Sequence, residues 1–421
     1  MHAAHCEIHQ TELVMATNLP YSQMKLHNAH LAYCTNIHPA ESWEETFHVL
    51  KTHTLAVRDK VSSTDAKSSG FAIGLRLSAR AARELLIKNT AGQREKLYAF
   101  KDWLTEENCY IFTINGFPYG NFHGTRVKEK VYQPDWSTDA RLEYTSDLFT
   151  ILARLLPDGV EGSVSTLPGS FKEFEANEHY IFSNLYSHAE FIEETSQEHG
   201  KDLHLGLEPE PLGHFENTKE TIAFFDRFHQ WAKELALDTD CIKRRIGVNY
   251  DTCHFALEYE DCHQSLDALR AAGIRISKIH LSSALSFDPN STDALAAIRA
   301  FDEPTYLHQV LLKNTDNSIT RFKDLPEFFS ALEAQKCHLD AQTEARCHFH
   351  IPLYAEPDHP LRSTQDHAAD ALDYLKMHPE FCNHFEIETY TWGVLPKALQ
   401  LPIDDQIAKE YEWVIEKHRS E

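Results

Sequence analysis

What most constrains this chain is a repeated rhythm. A short, almost continuously apolar run is followed by a longer segment with helical spacing, and then by another apolar run. The runs are Leu31–Asn36, Phe71–Leu77, Cys109–Ile114, Gly162–Gly169, three that begin at Leu203, Ile246 and Ile274, then Cys347–Tyr354 and Phe385–Tyr390. Runs that are apolar on both faces belong to strands covered on both sides, as in a parallel sheet whose crossovers are helices. Helices are expected from the acidic start Glu41–Glu45, over Ala79–Lys88 behind a Ser78 cap, and over Leu142–Leu156, Asn177–Glu198 and Thr218–Leu235. Further ones are expected over Ser265–Ala272, Thr364–Met377 and Asp404–Lys417. At roughly 30 to 50 residues per strand–helix unit, the rhythm predicts an α/β fold, a (β/α)8 TIM barrel, with ligands gathered at the C-terminal ends of its strands. An open doubly wound sheet is the alternative. No Gly-x-Gly-x-x-Gly opens a helix after the first run, which argues against its dinucleotide-binding form.

Nine runs are one too many for an eight-stranded barrel. The interval from His280 to Cys347 is much longer than the others and holds helix-like pieces at Thr292–Phe301 and Leu325–Gln335. The reading adopted is one barrel domain over residues 1–421, with an insertion at about 285–346 that carries its own strand. The other reading makes Ser163–Thr166 a loop.

The strand ends carry the chemistry. Glu208 closes the Leu203 run before Pro209, which cannot donate to a ladder. Asp251 ends Val248-Asn249-Tyr250, a place where Asp needs a reason, and His254 follows three residues on. His280 interrupts Lys278-Ile279-His280-Leu281, and His350 is its equivalent in His348-Phe349-His350. Glu386 and Glu388 share a face of the last strand, and Glu388 is the nearer to its end. Each has a plainer reading: Asp251 as a helix cap, His254 as a helix histidine, Glu386 in a buried salt bridge. Together, Glu208, Asp251, His280 and Glu388 make a mixed nitrogen and oxygen donor set at the ends of different strands. Such a set suits a divalent metal, Mn²⁺, Mg²⁺, Zn²⁺, Co²⁺ or Fe²⁺, without choosing among them. No thiolate is expected in it, since Cys253 lies beyond its strand end with no second Cys at ligand spacing. Glu210 is read as supporting or surface.

Composition narrows the partners. With 64 acidic against 40 basic residues the formal charge is −24, which argues against nucleic acid and an anionic membrane surface as partners. Nine cysteines without a Cys-x-x-Cys pair read as reduced thiols. Met1–Leu13 has no apolar core and does not read as a signal peptide, and no run approaches the roughly 20 apolar residues of a membrane span. A cytoplasmic protein handling a small-molecule metabolite is expected; oligomeric state is left open.

The strand ends Glu208-Pro209, Asp251-Thr252-Cys253-His254, Lys278-Ile279-His280 and Glu388 resemble the xylose-isomerase-like TIM-barrel superfamily, in its sugar isomerase and epimerase branch. Six segments are similar to a narrower family, the metabolite-traffic protein EboE family: Tyr33–Pro39, Gly116–Gly120, Ser165–Gly169, Leu207–Pro211, His348–Pro352 and Glu388–Trp392. The superfamily implies a metal held by Glu, Asp, His and Glu, with Glu208 and Glu388 moving a substrate proton. His254 and Glu216 would hold substrate hydroxyls, and the loops of Asn36 and of Phe117–His123 would wall the mouth. His280 and His350 stay open as alternatives for the imidazole ligand. The narrower family implies export of a metabolite precursor and contact with a membrane partner of the same pathway. An isomerase or epimerase and a metabolite-binding escort that keeps the metal pocket are both consistent with the residues. The endonuclease branch, which needs a basic face, is not.

Overall fold

The computed structural model describes residues 22–23, 25–61, 69–124, 126–357 and 359–419, so Met1–Leu13 lies outside the described residues. Eight parallel strands form the barrel: β1 (Ala29–Tyr33), β2 (Ser69–Arg76), β3 (Cys109–Asn115), β4 (Gly162–Thr166), β5 (Leu203–Leu207), β6 (Ile246–Asp251), β7 (Arg275–Leu281) and, last in the chain, His384–Ile387. From β2 to β7 each pairs with the next, and His384–Ile387 pairs with both β7 and β1. The ring closes where Cys34, just past β1, bridges Gly74 in β2 in parallel. The fold is a TIM barrel.

Helices follow the strands, and their boundaries have local causes. Ser42 and Glu45 form a reciprocal capping box at the helix Trp43–Val49, and Ser78 accepts from Ala81 N at the helix Ala79–Leu86. The apolar core lies between these helices and the outer faces of the strands, with Leu148, Phe149, Phe182, Leu185, Phe224 and Phe228 among its buried members. The barrel's interior is instead polar and hydrogen-bonded. His384 Nδ1 meets Ser163 Oγ on β4 at 2.7 Å, Thr113 meets Ser163 at 2.8 Å, and Lys278 Nζ reaches Glu386 at 2.6 Å. Room for Glu386 comes from Gly74, where a Cβ would sit 2.0 Å from its carboxylate.

Between β7 and the last barrel strand a second sheet is inserted, built from β8 (Ser283–Phe287), β9 (Val310–Lys313), β10 (Ile319–Phe322), β11 (Glu344–Ile351) and β12 (Arg362–Ser363). The closing barrel strand, His384–Ile387, is therefore β13. The inserted sheet is antiparallel, in the order β10-β9-β11-β8-β12. The eighth apolar run, Cys347–Tyr354, thus belongs to the insertion, which extends past the expected 285–346 to β12, while Gly162–Thr166 is a barrel strand. Along β11 the period-two alternation sorts the side chains. Ala345, Cys347, Phe349 and Ile351 enter the insertion's own core with Phe287, Phe301 and Phe328. Arg346, His348 and His350 face the other way, toward the barrel. Tyr259 Oη donates to Leu311 O and Glu344 O at 2.8 and 2.7 Å, and Arg321 pairs with Glu258, so the sheet is fastened over the mouth.

Candidate metal centre at the mouth of the barrel

The four strand-end residues meet. One donor atom from each of Glu208, Asp251, His280 and Glu388 lies within 4.8 Å of the others, and all four side chains are buried. His280 Nδ1 is the hub, 3.3 Å from Glu208 Oε1, 3.6 Å from Asp251 Oδ2 and 3.9 Å from Glu388 Oε2. Its other nitrogen donates to Glu386 Oε2 at 2.8 Å, which fixes the ring with Nδ1 turned toward the three carboxylates and toward Asn249 Nδ2 at 3.1 Å. Burial alone would raise the Glu386 carboxyl, but Lys278 and His280 hold it at about 2.

The remaining oxygens are braced from outside. Glu208 Oε2 accepts from Asn249 Nδ2 at 2.8 Å. Asn36 Nδ2 donates to Glu388 Oε1 at 2.8 Å. Asp251 Oδ1 accepts from Cys253 N, His254 N and Ser282 Oγ at 2.8, 3.1 and 2.6 Å, so Asp251 does cap the short helix Thr252–Leu257, with one oxygen only. Asp251 Oδ2 is buried and has no hydrogen-bond partner, and buried Glu388 Oε2 has only His350 Nδ1 at 3.0 Å, whose proton is directed at Glu388 O. Burial opposes the ionised form of each, yet the imidazoles around them hold both carboxyls below the usual range, His254 first for Asp251 and His280 first for Glu388. Burial likewise disfavours charge on His280, but its carboxylates, Glu208 foremost, push it well above the ordinary imidazole value. A buried cluster of three carboxylates, one with an oxygen that makes no hydrogen bond, favours a cation at its centre.

Beside it lies a second cluster, which strand-end reasoning found only in part. His254, His348 and His350 turn their Nε2 atoms together, 3.2 Å from His254 to His348 and 3.1 Å from His348 to His350. Each has its ring proton elsewhere: His254 Nδ1–H donates to Pro209 O, His348 Nδ1–H to Gln309 Oε1, and His350 Nδ1–H to Glu388 O. Gln309 cannot be turned round, because its Nε2 donates to Pro211 O at 3.1 Å. With each Nδ1–H so engaged, three Nε2 atoms face one another at hydrogen-bond distance, an arrangement that a shared proton or a metal cation resolves. Burial opposes charge on His350, but Cys253 and Asp251 push it well above the ordinary imidazole value, while burial holds His348 well below it. Asp251, Glu210 and Cys253 each lie within reach of two of these rings, so Cys253, set aside by its sequence spacing, is a neighbour of the site. Glu210 is also part of it: buried, lining the cavity above the clusters, and held well above the ordinary carboxyl range by burial.

The other expected residues divide. Asn36, His254 and His350 line that cavity together with Glu208 and Glu388. His123 stands behind it, donating from Nε2 to Asn36 O at 2.5 Å. Glu216 does not line it. Its carboxylate is taken by Lys172 and by Arg321 Nε, the latter at 3.3 Å, below the insertion.

No protein-family model matches the chain. Nor does any curated protein. Among solved structures it is similar to the probable 3-DHS dehydratase AsbF from Bacillus anthracis, at 11% identity over 91% of this chain and 98% of that one, with a TM-score of 0.43. It is similar to the IOLI protein with a bound zinc atom, at 13% identity over 93% and 99%, TM-score 0.42. A D-tagatose 3-epimerase-like protein matches at 14% identity over 73% and 95%, TM-score 0.36. Likenesses this distant bring neither substrate nor reaction to this chain. Among the described residues, no helix is long and apolar enough to cross a membrane.

Proposed function

We propose that this is a divalent-metal-dependent barrel protein of the sugar isomerase and epimerase type, acting on a small hydroxy-carbonyl or polyol-like metabolite. The observation that carries the reading is the four-donor cluster of Glu208, Asp251, His280 and Glu388 at the cavity floor. The donors fit such a cation, since Asp251 Oδ2 is buried without a hydrogen bond and three carboxylates, its own among them, crowd the same point. A bound cation would supply the positive charge that draws two adjacent substrate oxygens and steadies negative charge developing on them. Glu208 and Glu388 each have one oxygen tied back, by Asn249 and Asn36, which fixes the angle of the other. In this reading one of them takes the proton from the carbon between the oxygens, and the other returns it. His254 and His350, with His348, hold a second cation or bind the substrate's hydroxyls directly. The xylose-isomerase-like ancestry, one domain over 1–421, and an EboE-like role in exporting a metabolite precursor from the cytoplasm, beside a membrane partner, are supported by motif wording alone.

The test is exchange of substrate carbon-bound hydrogen with solvent deuterium by the Mn²⁺-reconstituted protein, across a panel of hydroxy-ketones. Exchange that disappears in Glu388→Gln is expected. Tight, metal-dependent binding without exchange would contradict the enzymatic reading and leave an escort protein.

A further inference from the structure

The cavity over the centre encloses about 570 Å³ counting its open mouth, and its walls differ in kind from its floor. Three rings brought together by three separate segments form one side. Phe122 comes from the loop after β3, Tyr306 from the insertion and Tyr390 from the loop after β13, with centroids 5.1 to 5.3 Å apart. Val131 and Leu307 extend this apolar surface.

Apart from the Tyr390 hydroxyl, the polar groups of the wall are engaged with one another or with neighbouring residues. Tyr306 Oη donates to His123 Nδ1 at 3.0 Å, because His123 spends its own ring proton on Asn36 O. Lys128 Nζ is held by Asp324. Gln309 uses both ends of its amide, on His348 and on Pro211 O. The Tyr132 hydroxyl faces Glu210. Among the described lining residues, buried acceptors without a hydrogen bond include Asn36 Oδ1 and Glu210 Oε1, both beside the clusters. A sugar's distal hydroxyls laid against such a wall would give up water and find fewer partners than there are hydroxyls. An apolar body there would instead remove aromatic surface from water.

We propose that the natural ligand is not a free sugar but an amphipathic hydroxy-carbonyl compound. Its two adjacent oxygens lie at the floor, and its aromatic or branched-alkyl body lies against Phe122, Tyr306, Tyr390 and Val131. This rests on the metal-site reading above. Three hydroxamates that share one bidentate head separate the two claims: acetohydroxamate is the head alone, benzohydroxamate adds an apolar body, and D-gluconohydroxamate adds a polyol. Each is titrated calorimetrically into the Zn²⁺-loaded full chain. Benzohydroxamate is expected to bind at least about tenfold tighter than acetohydroxamate, a difference of about 1.4 kcal/mol, and gluconohydroxamate no tighter than acetohydroxamate. Phe122→Ala and Val131→Ser should each shrink the benzo-to-aceto ratio. A ratio near one in the wild-type chain, or gluconohydroxamate as the tightest of the three, overturns the proposal and leaves the metal reading standing. Failure of all three to bind the Zn²⁺-loaded chain overturns that reading, and the proposal with it.

Discussion

At Asp251 one carboxylate oxygen accepts three hydrogen bonds and caps a helix, while the other faces His280 Nδ1 with no hydrogen bond of its own. The two roles separate by substitution. Asp251→Asn keeps an oxygen for the cap, so thermal stability should stay within a few degrees, while metal affinity falls by more than about 100-fold. Asp251→Ala should lose the cap as well, at about 1 kcal/mol. Glu386 acts at one remove, by orienting His280. Glu386→Gln should weaken metal binding about 10- to 100-fold and also leave Lys278 buried without its partner, at about 3–5 kcal/mol. In the Lys278→Met/Glu386→Gln pair stability should return while affinity stays low. If affinity returned too, Glu386 would be only a counter-ion, as one reading of the sequence had it.

The element that decides the second cluster is β11. Its alternation was readable, since His348 and His350 stand two apart and must share a face. What could not be read was the sheet they belong to, because pairing with β8 and β9 depends on contacts far along the chain. The carboxylates ending β5 and β6, by contrast, have a local signature, an acid closing an apolar run, and they were found where they stand. Glu216 misled because nothing near it in sequence reveals Lys172 or Arg321, its partners across the fold. Cys253 was passed over for a similar reason, its neighbours His348 and His350 lying in another sheet. Arg321 is also the tie between the insertion and the barrel. Burial pushes Glu258 up to about 7 although Arg321 opposes it, and the charge of Glu216 adds to the rise. Arg321→Ala should therefore cost about 1–3 kcal/mol, a value reduced from the fully buried case because Arg321 is one-third exposed. Denaturant midpoints would measure it, and adding Glu258→Gln should recover part of the loss.

Over the whole molecule, the C-terminal helix Ile403–Arg419 ties insertion and barrel together through one acid. Glu410 accepts from Leu353 N at 3.1 Å and from Thr389 Oγ1 at 2.8 Å, and burial raises its carboxyl from the ordinary 4.5 to about 8. Between these values the folded chain binds a proton that the unfolded chain has released, so stability falls as pH rises through that window. Glu410→Gln should flatten this fall when urea midpoints are followed with pH; an unchanged slope would show that other groups set it.

The account turns on whether the four strand-end donors hold a cation. After reconstitution with Zn²⁺ or Mn²⁺ and desalting, metal analysis should find at least one equivalent per wild-type chain, and one equivalent fewer in Glu208→Gln/Glu388→Gln at unchanged far-UV circular dichroism. A wild-type chain that retains no cation, or a double variant that retains as much as the wild type, would contradict it.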